Sequence, residues 1–189
     1  MTNAALIVVD VQRDFCEGGA LSAADTLSLL EPLRQQVEEA RHKGALIVYT
    51  RDWHPRNHSS FQSQGGPWPV HCVAHTNGAQ LMPPLKAQKE DVIINKGVST
   101  EGAGYSGFED TGLAKRLRTA GVEKVAVTGI ATEYCVRATA LDGLRAGFDV
   151  TVLTDLIRAV RAEETPKVLQ ELQAAGAKPQ KSTDWITTL

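Results

Sequence analysis

Four separated stretches of this chain carry side chains that could share one reaction. Cys135 lies just past a β-branched run, Val122 to Thr128, and a glycine break; Val136, Ala140, Leu141 and Leu144 then recur at helical spacing. Strand, tight turn and helix in that order deliver a thiol to a helix start. With Thr132 as N-cap, Cys135 falls in the first helical turn, where free amides and the positive dipole end are expected to lower a thiol pKa from about 8.5. Glu133, roughly 200° away from Cys135 round that helix, can answer the same dipole from the opposite face. Taken alone, Cys135 would read as a small core residue. Asp10 directly follows the apolar run Ala4 to Val9. It is either a cap on the next turn or a carboxylate at a strand's carboxyl end. Lys96 closes the run Asp91 to Asn95, and is either exposed on a rim or a cation near a thiolate.

The stretch RDWHPRNHSSF supplies a second chemistry. Asp52 and His54 are two apart, so in an extended segment they project to one side. His58 and His71 follow within one loop that runs to about Thr76 and is too long to be a mere connection. One carboxylate with two or three imidazoles and no required thiolate suits a single divalent ion, Zn²⁺ ahead of Fe²⁺ or Mn²⁺. Trp53, Phe61, Trp68 and Pro69 either wall a pocket for a flat ligand or glue this irregular loop down. His42 and His75 read as surface residues, Cys16 and Cys72 as packing, and Asp155 as a loop or helix cap.

Ala4 to Val9, Ala45 to Thr50, Asp91 to Asn95, Val122 to Thr128 and Phe148 to Leu153 are short apolar runs that read as buried strands. Helical patterns alternate with them. One opens on a capping box at Ser28 and Glu31 with Pro32 in its first turn, and stops at Gly44. Another spans Leu113 to Ala120, and a later one starts with Thr165 as N-cap and Pro166 at N1. The tail, Lys178 to Leu189, leaves one more short strand open. The expectation is a three-layer α/β/α domain, residues 1–189 as a single unit, around a mostly parallel sheet of five or six strands. Ligands of such sheets bind beyond the carboxyl strand ends at a switch point. Asp10, Asp52 with His54, Lys96 and the Cys135 turn all lie at that end, which favours one joint site over four unrelated caps.

Composition excludes other classes. With 20 basic and 22 acidic residues in 189 and a net charge of −2, nothing suggests a grip on nucleic acid or an acidic membrane. The N-terminus has no basic leader region and no stretch approaches a membrane span, so a cytoplasmic protein is expected. Three cysteines without CxxC argue for reduced thiols.

The motifs together resemble the nicotinamidases (pyrazinamidases) of the isochorismatase-like cysteine hydrolase superfamily. The matching pieces are DVQRDFCEGG at Asp10, RDWHPRNH at Asp52, WPVHC from Trp68, NKG at Lys96, YSGFED at Tyr105 and GIATEYCV around Cys135. The resemblance implies an isochorismatase-like hydrolase fold and a catalytic triad of Asp10, Lys96 and Cys135. It implies metal ligation by Asp52, His54 and His71, with His58 used in only some members. It places Phe15, Trp68, Tyr105, Ile130 and Ala131 around a small aromatic amide, a cis peptide between Ile130 and Ala131, and an oxyanion site at the amides of Ala131 and Cys135. The implied reaction turns nicotinamide into nicotinic acid and ammonia through a cysteine thioester, as in salvage of nicotinamide toward NAD. Whether the chain forms a homo-oligomer stays open. A metal-free amidohydrolase of N-carbamoyl compounds is the nearest rival, and a catalytically idle binding protein a further one; the RDWH loop and His71 count against the first, the intact triad against the second.

Overall fold

A computed structural model describes residues 2–189. Strands β1 (Ala4–Val9), β2 (Leu46–Asp52), β3 (Val92–Lys96), β4 (Lys124–Ile130), β5 (Asp149–Arg158) and β6 (Lys178–Gln180) form one sheet in the order β3-β2-β1-β4-β5-β6. Every pairing is parallel. The short tail strand is therefore present as β6, at the sheet's edge.

Both faces of this sheet are covered, which is why its central strands read as unbroken apolar runs. Along β1, Leu6 and Val8 point into one core, with Leu29, Leu33 and Val37 of α1 (Thr26–His42) and Trp185 of the C-terminal helix. Ala5, Ile7 and Val9 point into the other, with Leu113 and Leu117 of α2 (Leu113–Thr119). Val136 and Ala140 of the turn leading into α3 (Arg137–Arg145), and Val168 and Leu172 of α4 (Thr165–Ala174), complete that second core. The C-terminal helix is α5 (Ser182–Ile186).

Local details depart from the sequence reading. Helix α1 begins two residues before Ser28, after Asp25 in a left-handed conformation. Ser28 Oγ donates to the Asp25 carboxylate at 2.7 Å, and Glu31 pairs with Arg34 rather than closing a capping box. Pro32 thus falls in the second turn, one turn deeper than expected. The N-cap of α4 is Glu164 rather than Thr165. Asp155 does cap a helix, though a distant one: its carboxylate accepts the Ser182 N–H and hydroxyl at 2.8 and 2.7 Å, at the start of α5.

The order reverses between β1 and β4, whose strands run onward to opposite sides of the sheet. The two leave the sheet together there, β1 at Asp10 (φ 48°) and β4 through Gly129 (φ 111°) into a cis peptide at Ile130–Ala131. A Cβ on Gly129 would lie 2.1 Å from the Val9 carbonyl oxygen, so only glycine allows this approach. Among the described residues no helix is long and apolar enough to cross a membrane.

Candidate active site

Four strand ends meet at the switch point. Asp10 follows β1, Asp52 ends β2, Lys96 ends β3, and Cys135 sits in the turn after β4. That turn, Thr132–Val136, is a single π-helical turn ahead of α3, with Ala131 as its N-cap. Thr132 is not the cap, and its buried hydroxyl has no partner.

Lys96 is the hub. Its ammonium lies 2.7 Å from Asp10 Oδ2, 2.5 Å from Asp52 Oδ1 and 3.3 Å from Cys135 Sγ, and it donates to the Gly104 carbonyl at 3.0 Å. Carboxylate, second carboxylate and sulfur all lie within 4.8 Å of one another. Thr50 donates to Asp10 Oδ1 at 2.6 Å, fixing that carboxylate from behind.

Burial raises the Asp10 pKa above the ordinary carboxylate range, although Lys96 pulls against it. Burial alone would raise Asp52 too, but Lys96 and His54 outweigh it and hold that group ionised. The same two carboxylates reverse the effect of burial on Lys96 and push its pKa well up. Cys135 is also raised well above the ordinary thiol value, first by burial, then by Asp10 and Asp52 against the opposing Lys96. That direction opposes the lowering expected from the helix start: the thiol is nearly buried beside a carboxylate whose own proton affinity is increased.

Next to this cluster, Asp52 Oδ2 lies 3.3 Å from His54 Nε2 and 3.9 Å from His71 Nε2. One donor atom from each residue of this trio falls within 4.8 Å of the others. His54 Nδ1 bonds the Gly97 carbonyl at 2.9 Å and His71 Nδ1 the Pro69 carbonyl at 2.7 Å. A carbonyl only accepts, so both rings present an Nδ1–H to it and direct Nε2 inward, the atom whose lone pair is open to a cation when the ring is neutral. Two imidazole nitrogens and a carboxylate oxygen, preset in this way, fit a divalent cation. A Cβ on Gly97 would come within 2.4 Å of the His54 ring, so glycine there lets the carbonyl reach it. His58 stacks on His54 with ring centroids 4.1 Å apart. Its Nδ1 meets the Ser60 hydroxyl and amide, and its buried Nε2 has no partner. Burial lowers its pKa to about 4.

Residues 4–184 match the family described as Isochorismatase domain. The chain belongs to the isochorismatase family. Within it, the nicotinamidase/pyrazinamidase of Mycobacterium tuberculosis is 40% identical over 182 residues, spanning 92% of this chain and 96% of the relative. The nicotinamidase of Escherichia coli is 34% identical over 207 residues and 97% of each chain. The crystal structure of the pyrazinamidase of Pyrococcus horikoshii in complex with zinc superposes with a TM-score of 0.92 at 46% identity, covering 95% of this chain and 99% of that one.

In this family member a cavity with about 470 Å³ of space, mouth included, opens onto both clusters. Phe15, Trp68, Tyr105 and Ala131 line it together with Cys135, Asp52, His54 and His71. Trp68 Nε1 donates to the Tyr105 hydroxyl at 3.1 Å, and Phe15 leans on His71 with centroids 5.5 Å apart. Ile130 is buried in the core rather than lining the cavity. Asp10 and Lys96 stand behind the thiol, and His58 behind His54. Tyr134, Leu21 and Val160 line the cavity without having been singled out in the sequence.

Gln12 is another residue the sequence reading missed. Its buried amide donates to the Asp52 carbonyl and accepts the Asp52 N–H, both at 2.8 Å, and donates to the Ala79 carbonyl at 2.9 Å. It pairs with the end of β2 where β1 has already left the sheet. His42 and His75 are exposed, and Cys16 and Cys72 are free and buried, as expected.

Proposed function

We propose that this protein is a metal-dependent nicotinamidase that hydrolyses the carboxamide of nicotinamide, and of the related pyrazine amide, to the acid and ammonia. Residues 1–189 work as one catalytic domain with Asp10, Lys96 and Cys135 as the triad. The observation that carries this reading is the single buried ammonium of Lys96, in contact with a base, a sulfur and the carboxylate of a metal-ligand set. The named activities of the M. tuberculosis and E. coli relatives supply the substrate class.

The amide enters between Phe15 and Trp68 with its carbonyl carbon over Cys135. Asp10 takes the thiol proton and Lys96 balances the resulting thiolate; the sulfur pair then forms the bond to the carboxamide carbon as the carbonyl π pair moves onto oxygen. The amides of Ala131 and Cys135 hold the oxyanion. The tetrahedral species expels its nitrogen, Asp10 returns the proton, and ammonia departs. A water deprotonated by Asp10 then attacks the thioester, releasing the acid and restoring the thiol. Asp52, His54 and His71 would hold a divalent ion such as Zn²⁺, and the P. horikoshii relative is known in complex with zinc. Such an ion would supply a Lewis acid to which the pyridine nitrogen could bind, positioning the ring. His58, behind His54, is the candidate fourth ligand. A metal-free N-carbamoyl amidohydrolase would have no use for that trio. All three cysteines are free, in keeping with a cytoplasmic enzyme.

Ammonia release from nicotinamide by purified protein tests the reading. We expect turnover, its loss on chelation, and its return with Zn²⁺. Equal turnover before and after complete metal removal would contradict the metal's role, and no turnover in any state would contradict the substrate.

A further inference from the structure

The Glu133 carboxylate takes no part in the chemistry above. Its oxygens accept the backbone N–H groups of Val160 at 3.2 Å and Arg161 at 2.8 Å. Glu133 belongs to the same turn as Cys135, and Val160 lines the cavity that Cys135 lines. One side chain thus ties the turn carrying the thiol to the segment carrying an apolar wall of its pocket. A carboxylate gripping two backbone donors is a strong, geometrically specific fixing. The wall is also held from its other side. Ala24 N–H donates to the Ala159 carbonyl at 3.4 Å, and the Arg158 guanidinium donates to the Asp25 carbonyl at 2.9 Å and the Ser28 hydroxyl at 2.8 Å. Leu21, in the loop so anchored, lines the same cavity.

We propose that Val160 is a specificity-determining residue that limits the ring substituents the pocket admits, and that Glu133 is the positioning residue that sets its distance from Cys135. The inference rests on the nicotinamidase reading for its substrate. A β-branched side chain on main chain held from both sides cannot retreat, so an added ring methyl meets a wall. A single methylene in such a pocket is worth roughly 10- to 200-fold in kcat/KM. In Glu133→Gln the side chain keeps one acceptor oxygen and turns an NH₂ toward the second donor, which breaks the fork.

The test compares kcat/KM for nicotinamide and for nicotinamides methylated at each ring carbon, using metal-loaded protein. Val160→Ala is expected to raise the methylated-to-parent ratio for at least one isomer by about tenfold. Glu133→Gln should shift that same isomer in the same direction by a smaller factor. In the double variant the ratio should not exceed that of Val160→Ala alone. Glu163→Gln, on a nearby exposed carboxylate, should keep the wild-type ratio. Failure of every isomer to gain in Val160→Ala overturns the wall; a wild-type ratio in Glu133→Gln, or full additivity, overturns its dependence on Glu133. Amide hydrogen exchange gives a readout that needs no turnover. The Val160 and Arg161 amides should exchange faster in Glu133→Gln than in wild type. Unchanged exchange overturns the positioning role whether or not nicotinamide is hydrolysed, whereas inert wild-type protein with accelerated exchange in the variant sinks the substrate reading alone.

Discussion

Lys96 keeps its charge with 1% of its surface exposed because two carboxylates and a carbonyl surround it. Removing the ammonium would leave two buried carboxylates uncompensated, which is costly. The same crowding works against a thiolate at Cys135. A helix start favours an anion by only about 0.3–1 kcal/mol at an exposed site, whereas full burial beside two carboxylates acts against it more strongly. That balance was not legible in the sequence, where Cys135 shows its turn but not its depth. The histidines give a prediction at this scale. Burial holds His58 at about 4 and lowers His71 as well, below the ordinary value of about 6.5. At these two rings the unfolded chain binds more protons than the folded one between about pH 6.5 and 4, an effect larger in span than the opposite contribution of Asp10, so the metal-free protein should lose the rings' share of its stability as pH falls through that window. Thermal melts of metal-free protein should show a midpoint that declines from pH 7 to pH 4; a flat profile would contradict neutral buried rings.

The strands were the most legible elements, because a sheet covered on both faces leaves runs such as ALIVV that no amphipathic helix would produce. Asp10 and Lys96 directly follow their runs, Asp52 lies two residues past Thr50 and Cys135 follows a glycine break after Thr128, so all four could be assigned to one edge. Contacts between a side chain and a distant backbone left no such trace. Gln12 completing β2 and Glu133 holding residues 160–161 obey no period, and the capping box at Ser28 proved to be an ordinary local hydrogen bond. At the junction of β1 and β4, Gly129→Ala would press a methyl against the Val9 carbonyl at a backbone angle that alanine disfavours. A loss of about 3 kcal/mol in denaturant unfolding is expected. A variant as stable as wild type would mean that the two strands have room to part there.

Taken whole, the molecule divides its labour at the switch point. The sheet and its helices fix four strand ends, Asp52 among them; the loops between them, especially residues 53–76 and 98–105, supply the other two candidate metal ligands and most of the aromatic walls. The chain belongs to the isochorismatase family, and the strand ends bring the Cys135 sulfur, Asp10 and Lys96 together beside the Asp52, His54 and His71 donor atoms; the proposed mechanism makes that sulfur the nucleophile. The most direct measurement of that claim is peptide-mapped mass spectrometry of zinc-loaded enzyme, acid-quenched during turnover of nicotinamide. A nicotinoyl group on the peptide containing Cys135, absent from the peptides of Cys16 and Cys72 and lost in Cys135→Ser, is the predicted result. Full turnover in Cys135→Ala, with no acylated cysteine trapped in the wild type, would contradict it.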